Sequence, residues 1–163
     1  MLRDATTKDI PLIQAVSNAP ENLTKLEGYS DDHVYAAITG AETAVFVWEE
    51  NGEWHGFCWL HQTSDGTKVE EFGVNRPGCG VGSKFFAAVL NRVAQGGFPA
   101  PLWLAVAADN VDAIRFYKRF GFVHTELRRA VWERRMGPVA DALIMTLVAD
   151  AAISDPSRDQ DVT

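Results

Sequence analysis

Cysteine is scarce in this chain of 163 residues, with Cys58 and Cys79 the two present. They stand in unlike contexts, and no metal-type spacing joins either to a histidine, which excludes a disulfide scaffold and a structural zinc knot. His55 and His61 lie six residues apart in one strand-patterned run, too far for a compact metal pair, so no metal is expected. Long apolar runs are missing as well. Nothing approaches the roughly 18 residues that a membrane-spanning helix needs. The opening M-L-R-D-A-T-T-K-D is polar and has no signal-peptide core. Positive charge is in deficit, with 15 Lys and Arg against 22 Asp and Glu for a net charge of -7. That balance argues against a nucleic-acid-coating protein and tolerates a cationic small molecule or peptide amine. A reduced, cytoplasmic protein with neither membrane nor nucleic acid as partner is the expectation.

The apolar share is 47%, ordinary for a globular chain, and five Trp and nine Phe supply large surfaces to bury. The length suits one domain, expected over residues 1–150, with the polar residues 151–163 as a loose tail. Leu2 to Ala5 reads as a short strand and Thr6 to Asp9 as a helix start. Ile10, Leu12, Ile13 and Val16 form the apolar face of that helix, with Pro11 in its first turn. Asn18 to Gly28 is irregular, and Asp31 to Thr39 reads as a second short helix. Thr43 to Trp48 and Trp54 to Gln62 are β-rich runs around Asn51-Gly52, a strong hairpin signal. A turn at Ser64 to Thr67 leads to a third strand, Lys68 to Val74. Val81, Phe85, Phe86, Val89, Leu90 and Val93 then make a helical stripe that Gly96-Gly97 stops. Leu102 to Ala107 is a buried-strand run, Val111 to Phe120 a helix, and Phe122–Val131 with Ala142–Val148 a closing hairpin. The order is β-α-α-β-β-β-α-β-α-β-β, an α+β domain with a mixed sheet. The strand-helix-strand step through the glycines is its parallel unit.

Chemistry concentrates in Val69 to Phe86, V-E-E-F-G-V-N-R-P-G-C-G-V-G-S-K-F-F. A strand runs into glycines at 78, 80 and 82, and a helix starts at once. Glycines there admit an anion close to the backbone, and the helix N-terminus adds its positive dipole end. A Rossmann fingerprint fails because Phe85 stands where its third glycine belongs. A P-loop fails because G-C-G-V-G-S-K is one residue short and inverts Lys and Ser. Without context, a packing turn competes with a phosphate site on nearly even terms.

The context is Leu102 to Phe122, L-W-L-A-V-A-A-D-N-V-D-A-I-R-F-Y-K-R-F-G-F. Together the two segments resemble the GNAT superfamily of acyl-CoA-dependent N-acyltransferases. The first is similar to that family's pyrophosphate loop, V-x-P-x-x-R/Q-G-x-G-I/V-G. The second matches its V-x-x-x-N followed by A-x-x-F-Y-x-x-x-G-F, with Asn110, Ala113, Phe116, Tyr117, Gly121 and Phe122 in register. The loop departs from the pattern in being two residues shorter, with Pro77 in the usual Arg or Gln place and Arg76 one position upstream.

The resemblance, which extends from Leu2 to Leu147, implies the GNAT fold and an N-acetyltransferase. Such an enzyme moves acetyl from acetyl-CoA to a primary amine by direct transfer in a ternary complex. It implies that the backbone of Phe72, Gly73 and Val74 holds the pantetheine arm. Gly78, Cys79, Gly80, Val81, Gly82 and Ser83 would offer N–H groups to the pyrophosphate, and Asn110 and Phe116 belong with the cofactor arm. Tyr117 is the implied general acid, with core packing as its plain alternative. Glu70 and Glu71 are candidates for the base. Strand alternation sets them on opposite faces, and the family pattern favours Glu70. The acceptor, a small-molecule or peptide amine, would enter between Asn18–Tyr35 and the hairpin loop Arg128–Pro138. Many relatives are dimers, so a homodimer is carried over as an expectation. Two other readings compete: an acyl-CoA-binding sensor on the same fold, and a nucleotide-binding protein using the glycine loop. Arg128, Arg129, Arg134 and Arg135 read by default as a solvated basic loop, with contact to cofactor phosphate or an acidic partner as the alternative, and the five Trp as core.

Overall fold

Strand pairing explains the order of the elements. In a computed structural model that describes residues 1–148, seven strands form one sheet in the order β1-β2-β3-β4-β5-β7-β6. The strands are β1 (Leu2–Asp4), β2 (Thr43–Glu50), β3 (Glu53–Thr63), β4 (Gly66–Val74), β5 (Leu102–Ala107), β6 (Phe122–Trp132) and β7 (Ala140–Leu147). The helices are α1 (Ile10–Ser17), α2 (Asp31–Thr39), α3 (Val81–Ala94) and α4 (Val111–Arg119). The α+β reading with a mixed sheet therefore holds. The expected tail, 151–163, lies outside the described residues.

Asn51 and Gly52 adopt φ of 54° and 78°, the double left-handed turn that a two-residue hairpin requires, and Glu50 faces Glu53 across it. The β4–α3–β5 step is the parallel unit, and every other pairing in the sheet is antiparallel. Each face of the sheet buries its own core. On one side Ile13 and Val16 of α1 and Val34 and Ala37 of α2 cover Val45, Val47, Phe57 and Trp59. On the other, α3 and α4 cover Cys58, Leu60, Val69, Leu104 and Met145. Among the described residues no helix is long and apolar enough to cross a membrane.

Phe86 is the hub of the second core. It is fully buried, and its ring lies 5.1–5.9 Å from those of Phe72, Phe116, Tyr117, Phe120 and Phe122. Edge-to-face and tilted contacts at these distances add to the area each ring removes from water. Phe86→Ala is expected to cost about 3–5 kcal/mol and to lower Tm by roughly 10 °C, measured by calorimetry. A shift below a few degrees would mean that the cluster repacks around the hole.

Candidate active site

The site begins where two parallel strands part. β4 and β5 pair only over Thr67–Val69 against Leu102–Leu104. Beyond that, β4 continues beside β3 as far as Val74, and β5 beside β7 as far as Ala107. The β5-facing backbone of Glu70–Val74 thus has no ladder partner, and Glu70, Glu71, Phe72 and Val74 border a cavity of about 490 Å³.

A bulge marks the parting point. Cys58, Trp59 and Leu60 pair with Phe72, Glu71 and Val69, leaving Glu70 as the extra residue. Simple alternation would put Glu70 and Glu71 on opposite faces, and the structure corrects this. Val69 and Phe72 both join the core under α3 and α4. Both glutamates instead reach the segment after α1: Tyr29 Oη donates to Glu70 Oε1 at 2.6 Å, and Gly28 N to Glu71 Oε1 at 2.9 Å. Both also border the cavity.

The two carboxyls differ in setting. Glu70 has Lys68 Nζ at 3.4 Å in addition to Tyr29. Glu71 is 5% exposed. Burial pushes its pKa up to about 7, against the opposing pull of the Gly28 bond and the Arg135 charge, while Glu27 and Glu70 push it further up. The Tyr29 hydroxyl lies 2.6 Å from Glu27 Oε2 as well, and burial beside two carboxylates holds it protonated.

At the opposite end, β4 runs into the glycine loop. Gly78 and Gly80 take φ of 85° and 83°, the left-handed conformation that glycine adopts without strain. Gly80 is the N-cap of α3, and no side chain caps the helix. The first-turn N–H groups are therefore left for the cavity that Gly80, Gly82 and Ser83 border. Gly78, Phe72 and Val74 border it too. Gly73 does not: its Cα faces Val16 and Phe57 on the α1 side. Cys79 and Val81 also lie off the wall, and the Cys79 thiol donates to Arg76 O.

The third wall is α4. Asn110 caps it, with Oδ1 accepting from Ala113 N at 3.4 Å, and borders the cavity along with Phe116 and Tyr117. Phe116 stacks on Phe72 at 5.7 Å and 20°. Tyr117 is 9% exposed, and its hydroxyl has no hydrogen-bond partner among the described residues. Burial raises its pKa, so the phenol keeps its proton at neutral pH.

Two readings of the stretch from Trp132, the last residue of β6, to Arg135 are corrected. Arg134 and Arg135 are not simply solvated: Arg134 pairs with Asp109 at 2.6 Å, and Arg135 with Asn18 Oδ1 at 2.7 Å. Trp132 borders the cavity instead of joining a core cluster. Among the described residues no group of His, Cys, Asp and Glu is set to hold a metal.

A family model described as acetyltransferase (GNAT) family matches residues 13–122. The chain belongs to the GNAT acetyltransferase family. Solved GNAT structures match nearly end to end. The ribosomal-protein-S18-alanine N-acetyltransferase from Escherichia coli has a TM-score of 0.76 at 22% identity, over 95% of this chain and 97% of that one. The yncA protein from Salmonella typhimurium, solved with its cofactor acetyl-CoA, has 0.73 at 20%, over 92% and 94%. A variant of the SpeG spermidine N-acetyltransferase from Vibrio cholerae has 0.74 at 18%, over 90% and 92%. At such identities the likeness is one of fold. Among curated proteins no sequence match is found.

Proposed function

We propose that the protein is an N-acetyltransferase that moves acetyl from acetyl-CoA to a primary amine by direct transfer in a ternary complex. One observation carries the reading: the glycine-loop N–H groups, the unpaired β4 backbone and two groups suited to proton transfer border a single cavity. The residues present fit acetyl-CoA. The N–H groups of Gly78, Gly80, Gly82 and Ser83 suit its pyrophosphate, and the β4 edge at Phe72 and Val74 suits the amides of its arm. Bound there, it supplies an acetyl group activated as a thioester.

The remaining chemistry falls to the chain. An ammonium sheds two protons in becoming a secondary amide. Glu71 takes one and passes it to solvent. The other replaces the proton that Tyr117 gives to the departing sulfur. Glu71 has a stronger claim to the base role than Glu70, because its carboxyl titrates near neutrality whereas Glu70 is held by Tyr29 and Lys68. The acceptor is a small-molecule or peptide amine entering between the segment after α1 and the β6–β7 loop. A protein alanine and spermidine, named for two structural neighbours, are both amines. Two free thiols, one of them exposed, fit a cytoplasmic setting.

Titration calorimetry with acetyl-CoA, followed by thiol release across a panel of amines, tests this directly. Saturable binding and amine-dependent release are expected. Binding without turnover on any amine would favour the sensor, and no binding would count against both readings.

A further inference from the structure

The cavity has a strap that no catalytic scheme for it uses. Arg135, in the loop between β6 and β7, donates through Nη1 to Asn18 Oδ1 at 2.7 Å and through Nη2 to the carbonyls of Ser17 and Leu26. These acceptors lie 109 to 118 residues away in sequence, at the end of α1 and in the irregular segment beyond. The guanidinium also lies directly on Gly28. A Cβ there would come within 2.4 Å of Nη1 and 2.5 Å of Cζ, and Gly28 has φ of +74°. Glycine at 28 is thus required twice, by its backbone conformation and by the cation resting on it. The next atom along is Gly28 N, which donates to Glu71 at 2.9 Å. Arg134 anchors the same loop to Asp109 at 2.6 Å, beside the N-cap of α4. Two consecutive arginines therefore tie opposite walls of the cavity together.

We propose that Arg135 is a positioning residue, fixing Leu26–Gly28 so that the Gly28 N–H is aimed at the Glu71 carboxyl while the same segment walls the acceptor side. The inference rests on the base role proposed for Glu71. Charged groups reach that carboxyl from three directions: Glu27 on the segment after α1, Glu70 on β4, and Arg135 from the β6–β7 loop. Glu70 in turn faces Tyr29, Lys68 and, at 3.9 Å, His61. Arg135 and the Gly28 bond are the influences that favour the ionised form, so losing either moves the titration upward.

The experiment is a set of pH profiles of kcat with separate KM values for amine and acetyl-CoA, on the full chain. Arg135→Met is expected to move the acidic limb up by about one pH unit, raise the KM for amine several-fold, and leave the KM for acetyl-CoA unchanged. Arg135→Lys keeps the charge and loses the fork, so its limb should move less while its amine KM still rises. Gly28→Ala approaches the same contact from the other side and should shift both readouts in the direction of Arg135→Met. Circular dichroism selects the variants that fold. A limb that vanishes in Glu71→Gln but stays in place in folded Arg135 and Gly28 variants would overturn the positioning role alone. A limb retained in Glu71→Gln would overturn the base role beneath it.

Discussion

Tyr117→Phe is expected to lower kcat by about 10²-fold while leaving the KM for acetyl-CoA within roughly twofold. The reasoning starts from what the substitution keeps. The Tyr117 ring packs edge-on against Phe86 at 5.4 Å, Phe116 at 5.3 Å and Phe122 at 5.8 Å, and Phe preserves all three contacts. The hydroxyl has no partner among the described residues, so its removal strands no buried donor or acceptor and stability should barely change. What is lost is the phenol proton of a residue that borders the cavity. That proton is needed only when charge develops on the departing sulfur, so the loss falls on kcat and not on ground-state binding. Because burial raises the phenol's pKa, Tyr117 should add no alkaline limb below the range where the protein itself fails. Stopped assays of the two enzymes over a range of acetyl-CoA concentrations measure both constants. Normal turnover in a well-folded Tyr117→Phe enzyme would remove Tyr117 from the mechanism and leave it a core residue.

How much of this could be read in advance depends on the range of the interaction. The Asn51-Gly52 turn, the start of α3 at the glycines and the start of α4 at Val111 are set by a few neighbouring residues, and they stand where the pattern put them. The spaced motif from Asn110 to Phe122 spans the cap and the whole of α4, so the family resemblance was legible there. The bulge at Glu70 was not legible, because Val69-Glu70-Glu71-Phe72 reads as plain alternation until Trp59 and Leu60 choose their partners across the sheet. For the same reason the contrast between the two glutamates was hidden. It depends on Gly28, Tyr29 and Lys68 being brought to them by the fold. Arg135 was the hardest to foresee, since a run of arginines in a loop looks solvated until its acceptors, more than a hundred residues away, are known.

Glu71→Gln is expected to lower kcat by about 10²–10³-fold at pH 8 and to abolish an acidic limb near pH 7. A base works only when ionised. With its pKa pushed up to about 7 by burial, Glu71 is mostly protonated at pH 6 and mostly ionised at pH 8, so activity should climb through that window. Reading kcat, not kcat/KM, isolates groups in the ternary complex from titration of the free amine. Glu70→Gln is the control. Its carboxylate is held by Tyr29 and Lys68, so it should retain the limb and lose far less turnover. Stability gives an independent readout with a definite sign. The folded pKa lies above the unfolded value of 4.5, so the folded state binds the extra proton between about pH 4.5 and 7 and is destabilised as pH rises through that window. The full difference is roughly 3 kcal/mol. Gln carries no charge at any pH, so the variant should gain in Tm over the wild type at pH 8 and lose that advantage near pH 4.5. A variant that is both slower and more stable at pH 8 would mark Glu71 as a buried carboxylate held at a cost to stability and used in turnover. A variant that is slower but equally stable at both pH values would show that the carboxyl is not desolvated and that its base role needs another source of a neutral pKa.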